Sequence, residues 1–238
     1  MTIPTSISRL SVFYKRHGLG KTLRRTGLAA KRLVLSNRSV VFCCDLSRLA
    51  SASAELPKTL KVERKRSEAE IDPRELQQIV EIWNAAVAQQ RMKERFDQGA
   101  CLWLIKFDGR LAGYGWTLQG RTIAPYYFPL AENDVQFFDF HVFQKFRGRA
   151  IDWFLMTRAL HELAADGAGR AFAEAGEWNQ ASLSSIAATP FRRMGMVRSV
   201  TVLGRTIVSW AGKEPITQAS PVAQKSRAVS AGTQSSIR

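Results

Sequence analysis

At 238 residues, with 45% hydrophobic side chains and six tryptophans, the chain suits one globular domain of about 150 residues plus appendages. Its net charge of +15 is mostly N-terminal: residues 1–44 hold nine Lys or Arg and no Asp or Glu, and the rest carries 26 basic against 20 acidic residues. Cys43, Cys44 and Cys101 lack metal-type spacing and no apolar run approaches the roughly 20 residues that cross a bilayer, which argues against a metal centre and a spanning helix.

In chain order, Ser6 to Arg16 and Lys21 to Leu35 are predicted helices separated by Gly18-Leu19-Gly20. Two readings stand for them. One is a basic amphipathic arm for an anionic membrane surface, a polyanion or an acidic protein; the other is an accessory helix packed on the domain with its charges in water. Gly20-Lys21-Thr22 ends like a phosphate loop, but Lys15 stands where the first glycine is required, which removes a nucleoside-triphosphate site. An acid-free, Arg- and Ser-rich start also fits a transit peptide, but a cytoplasmic, reducing setting is the expectation. Ser39 to Leu46 reads as a strand, and Ser47 to Lys58 as a polar connection.

Leu60 to Arg66 opens the main domain as a strand. Asp72-Pro73-Arg74-Glu75 starts a helix with Asp72 as cap and Pro73 at its first position. Leu76, Ile79, Val80, Trp83 and Val87 form its stripe, with a break or bend near Ala85 to Gln89 and an end near Phe96. Cys101 to Phe107 and Leu111 to Leu118 flank Asp108-Gly109 as a hairpin. A turn at Gln119-Gly120 leads to a predicted strand, Ile123 to Leu130, whose Tyr126, Tyr127 and Phe128 either line an acceptor pocket or simply pack. Further on, Gln136 to Phe143 reads as a strand buried on both faces, Ile151 to Asp166 as a helix, and Ala171 to Glu177 as a strand. Asn179 caps the next helix, and Met196 to Leu203 with Thr206 to Trp210 closes the domain as a hairpin around Gly204. Residues 212–238, without aromatics, read as a disordered tail.

The junction at Lys145 to Ala150 is where chemistry is expected. A helix that starts right after a buried strand aims its free N–H groups and positive dipole end at the turn. Gly148 lets a ligand approach the backbone, Ala150 leaves the first turn uncluttered, and Arg147 and Arg149 add charge, so a phosphate ester is the natural guest. An ordinary turn with solvated arginines fits the same spacing.

Lys145-Phe146-Arg147-Gly148-Arg149-Ala150 resembles the acyl-CoA signature of the GNAT acyltransferases, with Lys145 where Gln or Arg is usual. Asn179-Gln180-Ala181-Ser182 resembles that family's asparagine-initiated helix, and Arg193-Met194-Gly195-Met196 its glycine turn into the next strand; together the resemblance spans about Leu60 to Ser209. It implies an α/β fold: a mixed, mostly antiparallel sheet with a splayed parallel strand pair and helices on both faces. It implies acetyl-CoA as acyl donor, with pantetheine in the gap and the pyrophosphate on the amides of residues 147 to 151. The implied contacts are Phe140, Val142, Lys145, Phe146, Arg147, Gly148, Arg149, Ala150, Ile151 and Asn179. The domain plan is then 1–58 as basic arm and accessory strand, 59–211 as acyltransferase domain, and 212–238 as tail.

Acyl transfer from a thioester asks the protein to hold the donor beside an amine, remove the amine's proton and stabilise an oxyanion. For the base the sequence offers Glu174, His141 and Asp139. Asp139 and His141 alternate with Phe138, Phe140 and Val142, which puts both on one face of an otherwise apolar strand, and Glu174 interrupts Phe172-Ala173 and Ala175 on the next. The same residues also suit mutual pairing or an ion pair with a helix arginine. Phe191 stands where the family often has a tyrosine that protonates the leaving thiolate; Ser184, Ser185, Tyr126 or water are the substitutes. The expected function is an acetyl-CoA-dependent N-acetyltransferase for a small amine, with an amino sugar of a surface polysaccharide as the preferred acceptor. The alternatives are a non-enzymatic acyl-CoA sensor or scaffold, and a nucleic-acid binder driven by the basic arm, which lacks any recognised binding motif.

Overall fold

A computed structural model describes residues 38–49, 55–82, 85–122, 126–202 and 205–211. The predicted helices of the arm, the tail and Trp83 lie outside them. Eight strands form one sheet in the order β2-β3-β4-β5-β6-β1-β7-β8. They are β1 (Arg38–Asp45), β2 (Leu60–Lys65), β3 (Cys101–Phe107), β4 (Arg110–Gln119), β5 (Asp134–Val142), β6 (Arg170–Gly176), β7 (Arg192–Val202) and β8 (Arg205–Ala211). Every neighbouring pair is antiparallel except β5 and β6. The helices are α1 (Pro73–Glu81), α2 (Ala85–Asp97), α3 (Ile151–Ala165) and α4 (Gln180–Ala187). Among them none is long and apolar enough to cross a membrane.

The alternation of β3 sorts the core into two layers. Trp103 and Ile105 face α3, whose stripe of Ile151, Leu155, Ala159, Leu160 and Leu163 is buried against them. Leu102 and Leu104 face the opposite layer, with Ile79 of α1 and Met92 of α2. Asp72 caps α1 as expected, accepting from Arg74 N at 2.8 Å. Val87, expected in the buried stripe, is 47% exposed: α1 ends at Glu81, and α2 turns Met92 inward instead.

Three further expectations are corrected. Residues 126–130 form no strand: Pro129 lacks an amide to donate, and Tyr126 to Phe128 lie as an irregular aromatic run. Gly195 is not in a turn before β7; it lies within that strand, paired with Val41 beside an irregularity at Val41/Phe42. The accessory strand is no appendage, since β1 sits between β6 and β7, with Val40, Val41, Phe42 and Cys44 buried. A domain boundary at residue 58 would divide this sheet.

The parallel pair needs a crossover, which α3 supplies. One end of it is fastened: buried Asp134 accepts from Arg170 Nε at 2.9 Å and Nη2 at 2.7 Å, and from Ala131 N at 2.8 Å. The other end opens. Pairing stops at Phe137↔Ala173, while β5 runs on to Val142 and β6 to Gly176. The sequence-predicted burial of β5 on both faces therefore holds for its first half only, and residues 138–142 border the gap partly exposed.

A bulge re-aims that second half. Phe138 pairs with Trp116 and His141 with Tyr114, so Asp139 and Phe140 together oppose Gly115, and Asp139 takes φ 53°. A Cβ at Gly115 would lie 2.4 Å from the Phe140 ring, so this close approach needs glycine. The bulge breaks strict alternation: Phe138 packs in the α1–α2 layer along with His141, which stacks on Tyr114, while Phe140 and Val142 pack in the α3 layer.

Candidate active site

Past Val142 the chain makes a short 3-10 turn, Gln144–Phe146, and enters α3. Lys145 is exposed, while Phe146 packs against Phe107 with ring centroids 6.0 Å apart. Ala150 holds the cap position with φ 54° and no side-chain acceptor, and the first helical bond runs from Phe154 N to Ala150 O at 3.0 Å. The N–H groups of residues 148–153 therefore donate to no acceptor among the described residues. Gly148 adopts φ +78°, a conformation that suits glycine, and a Cβ there would meet nothing within 4 Å. The result is a row of free amides at the positive end of a helix, open on its outer side.

Both arginines fold back onto the protein. Arg149 lies 4.9 Å over the Phe107 ring, and Arg147 Nε donates to the Val142 carbonyl at 3.4 Å. Asp152 brings a charge of the wrong sign for an anion site into the first turn of α3, and Ser185 Oγ of α4 donates to its carboxylate. Trp153 Nε1 donates to Ala188 O at 2.9 Å, which fastens α4 to the start of α3.

Beneath the gap the wall is apolar. Phe140 stacks on Phe137 at 5.5 Å, Phe191 meets Phe137 edge-on at 5.3 Å, and Val142 packs in the same layer. Ile151 gives its side chain to the core, leaving its N–H for the turn. Phe191 is buried and carries no proton to donate. Asn179 caps α4, its side chain accepting from Ser182 N at 3.4 Å and donating to Ser182 Oγ at 2.7 Å, so its polar atoms are committed to the helix.

The three candidate bases have different partners. Asp139 pairs with Arg95 Nη2 of α2 at 2.5 Å, and that guanidinium lies 5.1 Å over Trp116 and 5.2 Å over Phe138. This is the helix-arginine pairing, and it engages Asp139 elsewhere than on His141. His141 stacks on Tyr114 with centroids 5.6 Å apart and is held below the ordinary imidazole value, first by burial, then by Arg147, with Asp139 opposing. Glu174 is the first residue of β6 past the end of the parallel ladder, paired with Val41 on its other side. Burial pushes its carboxyl above the usual range, against a lowering by the Tyr127 hydroxyl that donates to it. Its Oε2 is buried without a partner among the described residues.

An aromatic wall surrounds this carboxyl. Phe128 packs edge-on against Phe172 at 5.2 Å, Tyr126 and Tyr127 are 5.0 Å apart, and Trp210 of β8 lies 6.3 Å from Tyr127 and 5.7 Å from Phe128. Tyr127 and Arg95 are the partners that sequence reasoning missed. An aromatic triplet flanked by prolines was a signal for the first, and nothing in helical spacing singled out the second. Chemically, a buried carboxyl with one open oxygen can take a proton from an amine, and the free amides can hold a phosphate ester.

A family model described as "Acetyltransferase (GNAT) family" matches residues 63–186, over half of the chain. No curated protein matches. Among solved structures, the chain is similar to a GNAT-family acetyltransferase from Novosphingobium aromaticivorans (14% identity, 67% of this chain and 61% of that one, TM-score 0.43). It is also similar to a tandem GNAT protein from the clavulanic acid biosynthesis pathway (18% identity, 79% and 60%, TM-score 0.48). An acetyltransferase of the same family from Colwellia psychrerythraea gives 16% identity, 78% and 62%, and a TM-score of 0.47. The chain spans about three fifths of the length of each.

Proposed function

Because the chain belongs to the acetyltransferase (GNAT) family, we propose that it transfers an acetyl group from acetyl-CoA to the amine of a small acceptor, an amino sugar of a surface polysaccharide or its precursor being the preferred class. The observation that carries this reading is the coincidence of two features at one gap: free amides at residues 148–153 and a buried carboxyl with an open oxygen at Glu174.

The residues present suit an acyl-CoA. The pyrophosphate would rest on the amides of the Gly148 turn, with Arg147 and Arg149 beside it, and the pantetheine arm between β5 and β6 along Phe140 and Val142. Bound there, the thioester supplies an acyl carbon already activated toward amines. Glu174 Oε2 takes the proton the amine gives up. Its raised affinity for protons suits a base that works near neutral pH. His141, neutral over the same range, is the second candidate, and Asp139 is committed to Arg95. Buried Phe191 leaves no side-chain acid at its position, so the thiolate departs as the anion, which a thiol of pKa about 8.5 tolerates.

That same phenylalanine favours one rival, an acyl-CoA-binding protein without turnover. A thiol-release assay with acetyl-CoA over a panel of amines decides: amine-dependent release that Glu174→Gln abolishes supports the enzyme, and tight acetyl-CoA binding with no release for any amine supports the rival. We place the reaction in the cytoplasm, in keeping with three free cysteines, and read the basic arm at Ser6 to Arg16 and Lys21 to Leu35 as the contact for an anionic membrane surface or a polyanion.

A further inference from the structure

Among the described residues, two of the buried polar atoms without a partner lie along the same aromatic wall: Glu174 Oε2 and the Tyr126 hydroxyl. Both border one aromatic wall: Tyr127 interacts with Glu174, and its ring lies 5.0 Å from that of Tyr126. The charge of Glu174 also acts on Tyr126 directly. A phenol beside a carboxylate ordinarily donates to it, yet here Tyr127 has that role, and the Tyr126 hydroxyl and Oε2 are both left open. Buried groups left open are costly, so a pair of them at one place marks where a ligand completes the bonding. The ligand must present a donor to a carboxylate and, beside it, a group that answers a hydroxyl.

We propose that Glu174 and Tyr126 form an acceptor subsite for a 1,2-amino alcohol, with Oε2 receiving the amine and the Tyr126 hydroxyl bonding the hydroxyl on the adjacent carbon. This deepens the acetyltransferase reading above and rests on it for the identity of the acceptor. Ring-borne amino alcohols suit the surroundings. Tyr127 and Phe128 offer apolar faces, and Trp210, 37% exposed, leaves one side of the wall open to solvent. A 2-amino-2-deoxy sugar carries this pattern; a simple alkylamine lacks half of it. A site built to bond a hydroxyl discriminates against analogues without one, because its own polar group then stays unpaired.

The test uses a matched pair, trans-2-aminocyclohexanol and cyclohexylamine, on the full chain and on Tyr126→Phe. Binding is measured by calorimetry with CoA present and no acyl donor, and turnover by thiol release with acetyl-CoA. The wild type is expected to favour the amino alcohol by about tenfold or more in both Kd and kcat/KM. Tyr126→Phe should bring both ratios toward one. Equal Kd values in the wild type, or a preference that survives Tyr126→Phe, overturns the subsite even if both amines are acetylated. A tenfold binding preference that Tyr126→Phe removes upholds the subsite; if neither these amines nor any other of the panel is then acetylated, the transferase reading is overturned.

Discussion

The turn at residues 144–153 and the wall around Glu174 serve the same gap but are made of different material. The turn is built from backbone: left-handed Gly148 and Ala150, an uncapped helix end and a row of free amides within one short segment. The wall is built from side chains on β6, on residues 126–128 and on β8, which are far apart in sequence. Backbone devices are local and survive many side-chain changes, whereas a wall assembled from remote segments depends on each of them. Under the proposed function, the turn suits the part of the reaction that never changes, and the wall the part that sets which acceptor is used.

The most disruptive change to the wall is Glu174→Gln, which should lower kcat by about 10² to 10⁴ with acetyl-CoA affinity unchanged. Equal loss of affinity would tie Glu174 to the donor half and dissolve the division. On the turn, Gly148→Val combines a positive φ with branched carbons where the ligand approaches, and acetyl-CoA affinity by calorimetry should fall about 10- to 100-fold. The strain itself should cost only about 1–2 kcal/mol of stability, read from denaturant midpoints. Unaltered affinity in that folded variant would remove the turn from the site.

Glu174→Gln also has a stability signature. The folded carboxyl binds its proton more tightly than the unfolded one, so the native protein is penalised once pH rises past the unfolded carboxyl's range. The variant should gain in Tm over the wild type at pH 8 and match it near pH 4. A constant offset would mean that burial is not the cause of the shift. Ala150→Gly should add about 1 kcal/mol or less by relieving φ 54°, without changing the amides, and leave affinity in place. The smallest effect is expected for His141→Gln, within a few-fold in kcat. Because its folded pKa is lowered, His141 withdraws stability only as pH falls below the unfolded imidazole value near 6.5, and the variant should flatten that decline in Tm.

The same contrast explains what was legible in the sequence. Strand, glycine turn and helix lie side by side in the chain, so β5, the turn and α3 could be read almost to the residue, and so could the capping by Asp72 and Asn179. Glu174 was conspicuous as a charge in an apolar strand, but its partner Tyr127 was not, since pairing across 47 positions is a property of topology. The bulge at Asp139 was invisible because it depends on Gly115 of another strand and on Arg95 of α2. The mistaken strand at 126–130 shows the limit of composition: an aromatic run between prolines has strand propensity, but Pro129 has no amide to give a ladder.

The strand between β6 and β7 matters for the order of events in synthesis. β1 precedes both of its partners in the chain, and both of its ladders are made with residues beyond 169. Until those emerge, an apolar segment with two open edges has no partner, and loop closure across more than half of the chain must precede its burial. Folding should finish only after translation has passed β7, with β1 as a late-joining strand.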